Sequence, residues 1–326
     1  MSIRTAKLNG TRAATELHAQ LGLTEKIASG NISRVDVFDA LHNLSIPTIC
    51  RPLDGILGAF LNTAAEKGVL VTTKRRLPIQ RFTAAHELGH CFMNHSDSID
   101  SEQSLLELHT GIRDVPLQEI EAEAFASEFL LPKSLLIRNA QKQGWKKKNL
   151  ADPNNVYQLS LRTGTSYEAT WRALLENDLI SNEIAHTIQK SRPKDAKRSL
   201  VNEEFITDSW GDVVGLTSYD QNSRLELGPE DTVVLSLPEH TTSGYAWNSL
   251  AEVQGVSLID DTHSTPNRGM IGGKCHRSLI FQGTGSVQIE MFEKRPWEKT
   301  KEPLNSFRVQ LEFQGQENGL PRVTRQ

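Results

Sequence analysis

Two histidines stand four residues apart, with a glutamate beside the first, in His86-Glu87-Leu88-Gly89-His90. On a helix, side chains four apart share one face, so both imidazoles can reach a single ion. Zinc binds imidazole nitrogen at about 2.0–2.1 Å, and a water on the ion then loses its proton near pH 7. Glu87 lies one step round the helix, where a carboxylate can take that proton. In a chain with 10 His, chance alone gives about 0.02 such matches. Phe82 and Ala85 before the motif, and Phe92 and Met93 after it, give that helix an apolar seat.

A hydrolytic zinc site takes a third protein ligand and keeps a fourth position open. The candidates lie in Glu119-Ile-Glu-Ala-Glu-Ala-Phe-Ala-Ser-Glu-Phe-Leu-Leu-Pro132. Glu119 and Glu123 are four apart and share a helix face. One carboxylate can bind the metal while the other accepts a hydrogen bond from a ligand histidine. Glu121 points about 200° away from Glu119 on a helix of 3.6 residues per turn. An acidic amphipathic helix with no metal role is the plainer alternative. For His95 and His109 a surface position is the simpler reading, and stabilisation of an oxyanion the other.

The elements that must hold these residues are read from periodicity. Thr11–Leu21 and Val35–Leu44 have helical apolar spacing, the second capped by Asn31 or Ser33. Gly68–Thr73 is a β-branched run that reads as a strand. Phe82, Ala85, Leu88 and Phe92 place the His-Glu motif on a helix, and Leu117–Leu131 forms another, closed by Pro132. Val156–Leu179 reads as helix, turn, helix. Ser191–Arg198 is polar, contains Pro193, and reads as a linker. Beyond it Thr232–Leu237, Arg277–Phe281, Ser286–Phe292 and Phe307–Phe313 alternate with period two. The expected architecture is therefore multidomain: a mainly α (α+β) domain over residues 1–200, then an all-β sandwich over 201–326.

Composition limits the class. The 326 residues are 37% hydrophobic and 23% charged, with a net charge of −4, as in a water-soluble globular chain. No run of 18 apolar residues predicts a membrane span, and residues 1–15 lack a signal-peptide core. Three scattered cysteines form no disulfide framework and suit the cytoplasm. Charge is uneven: residues 96–132 carry 1 Lys/Arg against 9 Asp/Glu, and residues 133–200 carry 13 against 6. The basic stretch holds no base-reading motif, so nucleic acid is not an expected partner.

Arg81-Phe-Thr-Ala-Ala-His-Glu-Leu-Gly-His90, followed by Glu119-x-x-Ala-x-x-Phe-Ala-x-x-Phe-Leu-Leu-Pro132, resembles the ImmA/IrrE family of metallopeptidases. Ile46-Pro-Thr-Ile49, Leu53-Asp-Gly-Ile-Leu-Gly58 and Val156–Ile180 are also similar to that family. The resemblance implies a gluzincin-like fold with Zn2+ on His86, His90 and Glu119, and Glu87 as general base. The family carries Asn where this chain has Glu123. It implies a protein substrate, such as a transcriptional repressor or an antitoxin-like regulator, and a helix-turn-helix-like segment at 156–180 that packs within the peptidase domain.

Three loops mark the second half: Leu237–Trp247, Asn267–Gly273 and Phe292–Glu298. In this order they resemble the chagasin family of cysteine-peptidase inhibitors. That implies an immunoglobulin-like sandwich whose loops dock on a protein partner through Thr242, Ser243, Gly244 and Tyr245, through Gly272 and Gly273, and through Arg295, Pro296 and Trp297. His240-Thr241 stands where the family has Asn-Pro. The reading is a cytoplasmic zinc endopeptidase with a C-terminal recognition or autoregulatory module. Two rivals stay open: an inhibitor or binding protein with a structural zinc site, and a DNA-binding regulator.

Overall fold

The computed structural model describes residues 2–62, 67–101, 115–206, 210–264, 275–298, 302–313, 315 and 317. The chain divides into two compact units. The first contains residues 1–141 and 145–190, and the second 142–144 and 191–315.

In the first unit the order is α1 (Ile3–Gln20), α2 (Leu23–Ser29), α3 (Val37–Asn43), β1 (Thr48–Arg51), β2 (Ile56–Asn62), β3 (Lys67–Thr72), α4 (Leu77–Phe92), β4 (Ser98–Ser101), α5 (Leu117–Leu130), α6 (Lys133–Lys142), α7 (Pro153–Thr163), α8 (Tyr167–Glu176) and α9 (Asn182–Lys190). The strands form one sheet in the order β1-β3-β2-β4. β1 and β3 run parallel, while β2 is antiparallel to both β3 and β4. The third helix begins later than its apolar spacing suggests. Its cap is Asp36, not Asn31 or Ser33, because the Asp36 carboxylate accepts the amides of Phe38 and Asp39.

Helix α4 is buried from Gln80 through Cys91, apart from the half-buried Phe82. Its apolar seat consists of Phe60, Val69 and Val71 from the sheet and of Phe125, Ala126 and Phe129 from α5, all in one core with Ala84, Ala85 and Leu88. Helix α1 presents the buried stripe Ala6, Gly10, Ala14 and Leu17, spaced for one helix face. The buried His18 ring lies 2.8 Å from the Phe129 carbonyl oxygen, tying α1 to the end of α5.

The second unit begins with α10 (Pro193–Leu200), followed by β5 (Val213–Leu216), β6 (Ser223–Leu227), β7 (Thr232–Glu239), β8 (Ala246–Trp247), β9 (Val256–Ser264), β10 (Cys275–Gly283), β11 (Gly285–Lys294) and β12 (Asn305–Phe313). The linker expected at 191–198 is thus helical from Pro193. Pro fits the first helical turn, where its missing N–H costs nothing, and the Asp195 carboxylate accepts the Arg192 amide at the start. Two four-stranded sheets follow, in the orders β5-β7-β10-β9 and β6-β12-β11-β8. Alternation decides their inner faces: Val287, Ile289 and Met291 on β11 are buried, as are Phe307, Val309 and Leu311 on β12. The expected pairing of a helical first part with an all-β second part is what the chain adopts. Among the described residues, no helix is long and apolar enough to cross a membrane.

Candidate metal centre and recognition loops

The motif on α4 turns His86 Nε2 and His90 Nε2 towards each other at 3.0 Å. Glu119, in the first turn of α5, places Oε2 3.2 Å from His86 Nε2 and 3.4 Å from His90 Nε2. Among the described residues these three form the one group of possible metal ligands. The spacing suits zinc. A tetrahedral ion with bonds of about 2.0–2.1 Å holds its ligand atoms about 3.3–3.4 Å apart, close to the observed triangle. Two imidazoles and a carboxylate are also the donor set zinc accepts in hydrolytic sites. Both histidines are buried, His90 fully, so the donors are shielded from bulk water.

Charge in the site is concentrated. Burial pulls the His86 imidazole down, but the carboxylates of Glu119, Asp100 and Glu123 outweigh it and leave its pKa above the ordinary value. Burial opposes ionisation of Glu119, yet the hydrogen bond with His86 and the His90 ring 3.4 Å away hold its carboxyl far below the usual range. Glu123 stays outside the donor triangle and acts on His86 through its charge.

Glu87 is fully buried. Burial, the Asp100 charge and a hydrogen bond with Asp100 push its carboxyl well above the usual range, against the Ser98 hydroxyl, which lies 3.3 Å from Oε2. Its Oε1 has no hydrogen-bond partner among the described residues. Gly58 on β2 makes the room: a Cβ there would lie 2.4 Å from Thr83 Cγ2 and 2.6 Å from Glu87 Oε1. Spacing in the sequence pointed to neither Asp100 nor Ser98. Both lie on β4, a four-residue polar strand whose inward face carries Ser98 and Asp100 while Ile99 is 66% exposed. Asp100 Oδ2 is 3.2 Å from His86 Nε2. The only clue was the alternation Ser-Ile-Asp. His95 also departs from its surface expectation: its ring packs against His90. His109 lies outside the described residues.

In the second unit, the loop between β7 and β8 is held at both ends by buried carboxylates. The inward alternation of β7 ends at Glu239, and that of β11 at Glu293; both are buried. Glu293 accepts the His240 amide at 2.7 Å, and Glu239 accepts the Trp247 amide at 3.0 Å. Asn305 Nδ2 donates to the other Glu293 oxygen at 2.6 Å. Thr242 and Ser243 are exposed on the resulting turn, and Gly244 closes it with φ +77°, a left-handed conformation. A Cβ on Gly244 would come within 2.5 Å of the Trp297 ring. Arg295 spans both loops: its Nε donates to the Ser243 carbonyl at 3.1 Å, and its guanidinium lies 4.6 Å above the Tyr245 ring. Pro296 is exposed and Trp297 is 68% exposed. Two of the three expected loops therefore meet; Gly272 and Gly273 of the third lie outside the described residues.

Comparison with known proteins gives a separate match in each half of the chain. The family described as IrrE N-terminal-like domain, peptidase M78, matches residues 43–174. The chagasin family of peptidase inhibitors, I42, matches residues 226–311. Amoebiasin-2 of Entamoeba histolytica is 31% identical over 107 residues, which span 32% of this chain and 87% of that protein. The chain joins an IrrE-like domain to a chagasin-family domain. Among solved structures, the cysteine protease inhibitor EhICP2 from Entamoeba histolytica is 27% identical, covering 31% of this chain and 96% of its own, with a TM-score of 0.28. Amebosin is 22% identical, covering 32% and 100%, with a TM-score of 0.25. The IrrE-like domain brings a metallopeptidase-like character, and the chagasin-family domain that of an inhibitor or protein-binding module.

Proposed function

We propose that the chain is a zinc-dependent endopeptidase that cuts a protein partner, a repressor or comparable regulatory protein, and that its chagasin-like domain recognises protein. The supporting observation is the triangle of His86 Nε2, His90 Nε2 and Glu119 Oε2, with a buried carboxyl beside it. His86, His90 and Glu119 would hold the metal. When bound, zinc supplies Lewis acidity towards a peptide carbonyl and towards a water. Glu87 Oε1 accepts the proton of the attacking water and passes it to the leaving amine. Its high proton affinity, set by burial and by Asp100, suits holding that proton between the two transfers. Ser98 donates to the other oxygen of the carboxyl, and the absence of a side chain at Gly58 leaves room for Oε1.

The proposed domains are 1–200 and 201–326, with the helix α10 at their boundary grouping with the second compact unit. A cytoplasmic setting fits the three cysteines, Cys50, Cys91 and Cys275, none of which is in a disulfide. Contact with DNA draws little support from the segment at 156–180. Thr170, Trp171 and Leu174 of α8 are buried, Arg172 is paired with Glu168, and Glu176 adds a further negative charge.

The test is incubation of wild type and Glu87→Gln with a proteome-derived peptide library, read by mass spectrometry. New peptide ends with wild type alone support the reading. Equal cleavage by Glu87→Gln, or none by zinc-loaded wild type, contradicts it.

A second reading draws on the exposed Trp297 packed over Gly244 and on Arg295 over Tyr245: the C-terminal domain docks these loops on a papain-like cysteine peptidase. Titration of papain activity with the full chain tests it, and undiminished activity in large excess of the chain refutes it.

A further inference from the structure

Helix α4 ends at Phe92 with Met93 as its C-cap, and Asn94 adopts φ +57°, a left-handed conformation that Asn tolerates better than most residues. This reverses the chain so that the His95 amide donates to the His90 carbonyl at 3.0 Å. The turn also brings the side chain back. His95 Nδ1 lies 3.0 Å from His90 Nδ1, and the rings meet edge-on with centroids 5.0 Å apart. On its far side, His95 Nε2 is 3.1 Å from Glu121 Oε2. Glu121 Oε1 in turn accepts from Asn9 Nδ2 on α1 at 2.9 Å. The approach of α1 depends on Gly10, where a Cβ would stand 2.1 Å from the Glu121 carbonyl oxygen.

The direction of this chain follows from its end. An ionised carboxylate only accepts, and Glu121 already accepts from Asn9. A neutral His95 therefore donates from Nε2 and offers the lone pair of Nδ1. His90 must then carry its proton on Nδ1, which leaves the Nε2 lone pair free, on the side that faces His86 and Glu119. His86 differs: its Nδ1 is buried with no hydrogen-bond partner among the described residues. The two carboxylates that point apart on α5 thus address one centre by two routes, Glu119 directly and Glu121 through His95.

We propose that His95, Glu121 and Asn9 are positioning residues, whose hydrogen-bonded chain fixes the orientation and tautomer of His90 so that Nε2 is presented to a metal ion. The proposal rests on the metal-site reading above. It assigns His95 a task at the ligand nitrogen, through His90, and none at the substrate.

The experiment uses the full chain in wild-type, His95→Leu and Glu121→Gln forms. Gln keeps the volume of Glu121, but its amide can turn an N–H towards His95 and reverse the polarity of the chain. Zinc dissociation constants come from competition with a chromophoric chelator, and the His90 tautomer from long-range ¹H–¹⁵N spectra of the zinc-free protein. The expected result is a roughly 10–100-fold weaker zinc affinity in both variants. In wild type the His90 proton should reside on Nδ1, and in the variants it should be redistributed towards Nε2. A residue that only supports the fold would leave that tautomer unchanged. Zinc affinities within about twofold of wild type in folded variants, or a wild-type His90 protonated on Nε2, overturn the proposal. Wild-type protein that binds no zinc while showing the Nδ1 proton would refute the metal reading and leave the hydrogen-bond chain in place.

Discussion

Glu128, near the end of α5, offers a stability test in which sign and size both follow from its surroundings. Burial, reinforced by the charge of Glu176, pushes its carboxyl from the ordinary 4.5 up to about 7. In the unfolded chain the group ionises near the ordinary value, whereas in the fold it keeps its proton until pH passes about 7. The contribution of this group to stability is therefore whole below about pH 4.5, declines as pH rises towards 7, and levels off above it. Each pH unit in that window costs about 1.4 kcal/mol, for a ceiling of roughly 3 kcal/mol. Partial exposure screens some of this, so about 1–3 kcal/mol is the expected range. Glu128→Gln mimics the protonated form and does not titrate. Calorimetric melts of metal-free wild type and variant at about pH 4.5, 6 and 8 should show equal stability at the lowest pH. At the highest pH the variant should be the more stable by that amount. A difference that is constant with pH, or largest at the acid end, would refute the reasoning.

Other expectations follow from individual contacts. Arg277, with a side chain 8% exposed, pairs with Asp261 at 2.6 Å and stands 4.0 Å from buried Glu239. Arg277→Met should destabilise the C-terminal unit by about 3–5 kcal/mol in denaturant titration, because it strands a buried carboxylate. Gly58→Ala must displace Thr83 or Glu87, and should cost about 1–3 kcal/mol in denaturant melts together with most peptidase activity. If the loops dock on a cysteine peptidase, Trp297→Ala should weaken papain binding by about 2 kcal/mol, roughly thirtyfold, in an inhibition titration, while melting temperature is unchanged.

The site was legible in the sequence where chemistry and helical period coincide. His86, Glu87 and His90 share a motif, and Glu119 was one of two carboxylates on a helix face; the fold selects it as the one facing both rings. Asp100 was not legible, because a four-residue strand leaves too little alternation to read. Nor was the partnership of His95 with Glu121, since a left-handed turn at Asn94 and the approach of α1 create it. The helix at Pro193–Leu200 read as linker because it is polar. Its buried Lys197 is satisfied by the Gly211 carbonyl at 2.6 Å and by Asp212 at 3.5 Å, a pairing invisible to periodicity. The four strands assigned in the second half lie within β7, β10, β11 and β12, whose buried faces alternate. β5 and β6, of four and five residues, were too short to stand out, and the edge strand β9 has no clean alternation.

The central claim is that His86, His90 and Glu119 hold one zinc ion. Native mass spectrometry after chelation and zinc reloading tests it most directly. The account predicts one zinc per wild-type chain, one per Glu87→Gln chain, and none per His90→Ala or Glu119→Ala chain at stoichiometric metal. A wild-type chain without zinc, or full zinc content in both ligand variants, would contradict it.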